Sequence, residues 1–261
     1  MQLDDLPAAA HPAPDCPICP RLAAFRHEWQ AREPTWFNAP VPPFMPVNGA
    51  ASVRLLISGL APGLRGANRT GRPFTGDYAG DLLYSTLKTF GFAQGTFEAR
   101  PDDTLELVET AIANGVRCVP PQNKPTGSEI NNCRRFLMPV VAAMPNLRVI
   151  VTLGRIAHET TLRALGARMA DAPFSHGGSA DVGGYTIISS YHCSRYNTNT
   201  GRLTEEMFHA VFARARSALD SVPKVNPRVP ASSGAASGGS SRAWQRSRAC
   251  RGSSCPWRRP A

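Results

Sequence analysis

Val53-Arg54-Leu55-Leu56-Ile57-Ser58 runs straight into Gly59-Leu60-Ala61-Pro62-Gly63: an apolar, β-branched stretch that stops on a turn rich in glycine and proline. A short apolar run bounded by turn residues reads as a strand buried on both faces. Three further runs repeat the pattern: Gly115-Val116-Arg117-Cys118-Val119, Leu147-Arg148-Val149-Ile150-Val151-Thr152-Leu153 and Tyr185-Thr186-Ile187-Ile188-Ser189-Ser190. Helical spacing fills the gaps. Over residues 81–92, Leu82, Leu83, Leu87 and Phe90 share one side, and helices are expected at 129–144, 155–165 and 204–219, with another upstream at 21–32. The last opens on Thr204-Glu205-Glu206, a hydroxyl and two acids suited to a helix N-terminus. Strands alternating with helices predict an α/β chain, a three-layer α/β/α sandwich around a four-stranded parallel central sheet.

In an open parallel sheet the ligand crevice lies beyond the carboxyl ends of the strands. The segments placed there are 59–63, Pro120-Pro121-Gln122-Asn123-Lys124-Pro125, Gly154-Arg155 and His192-Cys193-Ser194-Arg195-Tyr196-Asn197. Four polar loops therefore converge on one edge.

At 261 residues the chain can bury one substantial core, or two small ones. The composition changes after Leu219 to Ser, Gly, Pro, Ala and Arg, which predicts a folded domain over 1–222 and a disordered basic tail over 223–261. The net charge is +10, yet eight of the 29 basic residues sit in that tail, leaving 21 against 19 acids in the body. The charge thus promises salt-screened attraction to phosphate from the tail and says little about the domain. No apolar run approaches the roughly 20 residues of a membrane span. The start, MQLDDLPAAAHPAPD, lacks the basic and apolar regions of a secretory signal. The expectation is a soluble, cytoplasmic monomer, in which seven cysteines do not make a disulfide framework.

Cys16 and Cys19 have the spacing that lets two thiolates reach one metal, and Cys118 and Cys133 stand fifteen positions apart further on. Four soft donors suit a structural zinc or an iron–sulfur cluster, whereas Cys118 taken alone fits an apolar core. Asp77 closes a loop rich in Gly, Asn and Arg and could cap the following helix. Asn123, among prolines, could fix a turn, and His192 could be an ordinary buried imidazole. Together, on loops at one sheet edge, the three make a candidate catalytic set.

The first loop, extended by Gly66-Ala67-Asn68-Arg69-Thr70-Gly71-Arg72-Pro73-Phe74-Thr75-Gly76-Asp77, resembles a motif of the uracil-DNA glycosylase superfamily, and most closely its family 5, or type B. The segment from His192 to Thr204 is similar to the second motif of that family, and the order of the four cysteines matches as well. The resemblance covers roughly residues 16–219. It implies an enzyme that flips uracil, and other deaminated bases such as hypoxanthine or xanthine, out of DNA and hydrolyses the N-glycosidic bond. Such an enzyme starts base excision repair and works on the prokaryotic nucleoid. By motif position Asp77, Asn123 and His192 are its catalytic residues. Gly59, Leu60, Ala61, Pro62, Phe74 and Arg195 bind substrate, and Cys16, Cys19, Cys118 and Cys133 hold a 4Fe–4S cluster. The first motif has no acid, which sets the chain apart from the uracil-specific family 4 and leaves Asp77 as the carboxylate of the site. A non-catalytic iron–sulfur DNA-binding protein is the alternative of another class. The second motif reads His192-Cys193-Ser194, where the family usually has His-Pro-Ser.

Overall fold

The computed structural model describes residues 6–221. The expected tail over 223–261 lies outside the described residues. Along the chain come α1 (Pro20–Arg32), β1 (Leu55–Gly59), α2 (Ala67–Thr70), α3 (Tyr78–Thr89) and a small hairpin of β2 (Ala93–Gln94) with β3 (Glu106–Leu107). Then follow β4 (Thr110–Asn114), α4 (Gly127–Arg134), α5 (Leu137–Ala142), β5 (Val149–Leu153), α6 (Arg155–Ala164), β6 (Ser179–Val182), β7 (Tyr185–Ser190), α7 (Arg195–Asn199) and α8 (Glu205–Asp220).

The main sheet has the order β4-β1-β5-β7-β6. Its first four strands are parallel, as expected; β6 adds an antiparallel edge. The two-residue turn Gly183-Gly184 joins β6 to β7, both glycines at positive φ (59° and 90°). That is the backbone a tight hairpin requires and a side chain resists. At the opposite edge Phe44 bonds both ways with Ile112, at 2.8 and 2.9 Å, so the proline-rich link covers an otherwise open strand.

Alternation along the strands supplies both faces of the core. Leu55 and Ile57 point to one side, where α3 and α8 bring Leu83, Leu87, Phe208 and Phe212. Leu56, Ala111 and Ile150 point to the other, against Leu137, Val140 and Leu162 of α5 and α6. Each large apolar side chain removed from water contributes roughly 1.5–3 kcal/mol, and these are fully or almost fully buried.

Two sequence expectations are corrected. The run 115–119 is not a strand: the second strand is β4, at 110–114. After it the chain follows β1 for two more bonds, Gly115 N–H to Gly59 O and Val116 N–H to Leu60 O, and then leaves the sheet. Val116 and Cys118 turn into a separate small cluster with Leu22, Ile130 and Cys133, so their apolar character serves that cluster. The helix expected over 129–144 is broken into α4 and α5. Pro139 has no N–H and cannot sit inside a helix, but it is tolerated in the first turn of a new one, where α5 places it.

Candidate active site

A cavity of about 620 Å3 opens where β1, β4, β5 and β7 end. The parallel register sets Gly59 beside Asn114 and Leu153 beside Ser190, so the strand ends form a row beneath it. Asn114, the last residue of β4, is only 3% exposed and lines the cavity, with Oδ1 buried and unpartnered. Gly59 lies behind it and does not line the cavity. A side chain there would overlap Asn114 Oδ1 and come within 3.0 Å of the Phe74 ring, so the glycine lets the carboxamide and the aromatic ring meet.

Phe74 is nearly buried and held at positive φ (52°), strained for an aromatic residue. The loop around it is pinned. Arg72 grips the Asp103 carboxylate with two bonds of 2.7 Å and donates to Thr75 Oγ1 at 2.8 Å. Its guanidinium lies among Phe44, Tyr84 and Phe97, 5.2–5.8 Å from each ring centroid, while Tyr84 donates its hydroxyl to Pro73 O. The Phe74 and His192 rings stand near-parallel across the cavity, centroids 5.9 Å apart.

Asp77 lines the same cavity from the N-cap position of α3, yet makes no capping hydrogen bond through its side chain, and Oδ1 is buried without a partner. Burial pushes its carboxyl above the ordinary range; the nearby backbone amides of Gly80 and Ala79 oppose this without closing a capping bond, and Asp81 adds to it. Gly66 packs so closely on the carboxylate that any side chain would displace it. His192 faces the cavity and is otherwise enclosed by protein; burial lowers its pKa to about 4, so it is neutral at physiological pH. Leu60, Ala61, Pro62 and Arg195 line the cavity too, and Asn123 reaches it from an exposed turn. Gln122 and Asn123 both stand at positive φ (56° and 57°), a strained pair at the rim. At the mouth, Arg155, Arg195 and Arg202 lie over Phe174, Tyr78 and Tyr191 at 5.0, 5.1 and 4.6 Å, cations resting on rings. Tyr196 projects beside them, 71% exposed.

The four predicted cysteines also come together. Cys16, Cys19, Cys118 and Cys133 line one small cavity between α1 and the loop after β4, and none is in a disulfide. The sulfurs accept hydrogen bonds from Arg26 Nη1 (Cys118, 3.6 Å), Asn132 Nδ2 (Cys19, 3.8 Å) and the Arg117 backbone N–H (Cys133, 3.2 Å). Burial pushes the Cys118 thiol up to about 12 and raises Cys19 and Cys133 as well. Among the described residues no group of three or more His, Cys, Asp or Glu is arranged to hold a metal ion.

The family model described as the uracil DNA glycosylase superfamily matches residues 46–216. A type-5 uracil-DNA glycosylase of Thermus thermophilus is 45% identical over 208 residues, covering 77% of this chain and 92% of that protein. The chain belongs to the type-5 uracil-DNA glycosylases. Relatives of the same type from Pyrobaculum aerophilum (37% over 205 residues, 77% of this chain, 88% of that protein) and Mycobacterium bovis (38% over 211, 77% of each) agree. Among the described residues no helix is long and apolar enough to cross a membrane.

Within this glycosylase fold the structure gathers every predicted pocket residue except Gly59 around the cavity, and adds one that sequence reasoning missed. Asn114 carries the buried carboxamide, whereas Asn123, the predicted one, is exposed. The signal was an asparagine ending the buried stretch Thr110-Ala111-Ile112-Ala113, next to a glycine. Cys193, which replaces the usual proline, is fully buried and donates its thiol to Ala79 O at 3.5 Å, tying the second motif to α3. The donor set of the second cavity fits an anionic metal centre. It offers four soft sulfurs and three N–H···S bonds, and beside it lie two buried guanidiniums, Arg26 and Arg117, with polar atoms left unpaired.

Proposed function

We propose that this protein removes uracil, and deaminated purines such as hypoxanthine and xanthine, from DNA by hydrolysing the N-glycosidic bond of a flipped nucleotide. The observation that carries this reading is the Asn114 carboxamide, buried at the bottom of the cavity with an unmet acceptor and beside the Phe74 ring. A carboxamide presents acceptor and donor side by side, matching the N3–H and O4 edge of uracil. Phe74 offers a face on which the extruded ring stacks, offsetting the few kcal/mol lost when the base leaves the helix.

Breaking the bond leaves positive charge on the sugar and negative charge on the base. The Asp77 carboxylate, which closes no capping hydrogen bond, is suited to orient the attacking water and to stabilise the cationic sugar. Neutral His192 supplies an N–H to the departing base oxygen, a donor that needs no proton transfer. Asn123 adds a polar contact from the rim. Arg155, Arg195 and Arg202 meet the flanking phosphates, and exposed Tyr196 fills the gap left in the duplex. The cavity volume supports bicyclic as well as single-ring bases. Cys16, Cys19, Cys118 and Cys133 are the residues that would hold a 4Fe–4S cluster, whose role there would be structural.

Single-turnover excision from oligonucleotides carrying uracil, hypoxanthine, xanthine or thymine tests this. Release of uracil and the deaminated purines, with thymine retained, is expected. Failure to release any base overturns the glycosylase reading, and release of uracil alone overturns the broader range.

A further inference from the structure

Arg26 and Arg117 are 2% and 1% exposed and rank among the largest fully buried side chains of the described residues. A guanidinium does not give up its proton inside a protein, so each carries a full charge into the core. Arg117 has Nη1 and Nη2 buried with no hydrogen-bond partner, and Arg26 has Nε in the same condition. Arg26 spends its other nitrogens on the centre itself: Nη1 donates to Cys118 Sγ at 3.6 Å and Nη2 to Cys16 O at 3.2 Å. The neighbouring carboxylate, Glu129, is already taken by two bonds from Arg21, at 2.8 and 2.7 Å. Two buried cations thus stand beside the cysteines, Arg26 bonded to Cys118 and Arg117 within electrostatic reach of Cys133, and among the described residues no carboxylate answers them.

An unpaired buried charge is strongly unfavourable, which makes the missing partner a question of chemistry. Four thiolates around a metal core leave about two net negative charges, whether the core is zinc or an oxidised cubane cluster. Two arginines match that number. We infer that Arg26 and Arg117 are the charge-balancing pair of the four-cysteine centre: they retain the cluster in a dry core and raise its reduction potential. The inference rests on the cluster reading above. The direction of its effect follows from electrostatics. One-electron reduction adds a negative charge to the cluster, and a buried cation beside it stabilises the reduced form more than the oxidised one.

The test starts from purified full-length protein assayed for iron and acid-labile sulfide. Zinc in place of iron overturns the cluster reading, and the claim about the potential with it. With iron present, Arg26→Met and Arg117→Met should lower the midpoint potential in a dye-mediated titration and lose iron to a chelator several-fold faster than wild type. Arg26→Lys and Arg117→Lys, which keep the charge, should return both readouts most of the way. An unchanged or raised potential in the methionine variants overturns the inference while leaving the cluster reading intact. If a methionine variant yields no folded protein, the lysine variant decides: folding with wild-type iron content supports charge balance, and equal failure overturns it.

Discussion

Replacing Asp77 by asparagine separates the two jobs that the position can have. The residue sits at the N-cap of α3, where asparagine and aspartate cap equally well, so a capping role forecasts a variant that is normal in every respect. The structure forecasts otherwise. The carboxylate makes no capping bond, is buried among Gly63 and Gly66, and has an unpartnered oxygen in the cavity. As water-orienting carboxylate its loss should slow single-turnover excision by about 10²–10⁴-fold, with DNA affinity preserved because the group acts in the transition state. Stability should move the other way. The folded carboxyl has its pKa raised above 3.8 by burial, so the native state holds the proton more tightly than the unfolded chain. Stability is then lost as pH rises through the folded value, and the ionised group is a cost at neutral pH. An asparagine carries no such cost, so the Asp77→Asn variant should melt at or above the wild-type temperature at pH 7, the difference closing below about pH 3.8. With alanine instead, a true cap would forfeit about 1 kcal/mol, or roughly 2–4 °C in a domain of this size; no such drop is expected. The wild-type rate should rise with pH along a single limb above the ordinary aspartate range, without a second limb near 6.5, because His192 stays neutral down to about pH 4. Wild-type excision by Asp77→Asn, or a 2–4 °C loss in Asp77→Ala with chemistry intact, refutes the assignment.

Asn114→Ala should slow uracil excision about 10²–10³-fold while leaving binding to undamaged duplex unchanged; an unaffected rate would move base reading to Asn123 at the rim. Asp103→Ala strands Arg72, whose side chain is 4% exposed beside a fully buried carboxylate, and should cost about 3–5 kcal/mol in urea denaturation. Burial acts to raise the Asp103 pKa, but Arg72 and the N–H groups of Glu98 and Leu105 outweigh it and hold the pKa below 3.8. That stabilisation is present above pH 3.8 and fades as pH falls through the folded value, so the gap to the variant should close only in strong acid.

How much of this was legible in the sequence depended on what each residue type advertises. Tyr185-Thr186-Ile187-Ile188-Ser189-Ser190 announced β7 to the residue, since β-branched and aromatic residues fit a pleated surface. The edge strand β6 carries Ser179, Ala180 and Asp181, which advertise nothing. Cys16 and Cys19 were legible as a pair because CxxC in a polar segment has no packing role, whereas Cys118 and Cys133 joined them only through the family resemblance. The buried arginines opposite them were not, because a basic residue in a sequence looks the same in solvent as beneath a helix.

The misplaced second strand shows why strand register matters more for function than for fold. β4 contains two alanines and an asparagine, weak strand signals, while the stronger run after it belongs to the cysteine cluster. Shifting the strand by five residues leaves the topology unchanged, because the order and the parallel sense survive. Five residues of extended chain nevertheless span about 16 Å. With its carboxyl end at Val119, the expected strand put Asn114 before its start, at the edge of the sheet away from any ligand. With its end at Asn114, the real strand delivers that carboxamide to the bottom of the cavity, in register with Gly59. The chain then stays on the same edge through Asn123, which is why that residue still reaches the rim. In a parallel sheet the carboxyl terminus of each strand is a functional address, and here only one residue at that address is both polar and unpartnered within β4.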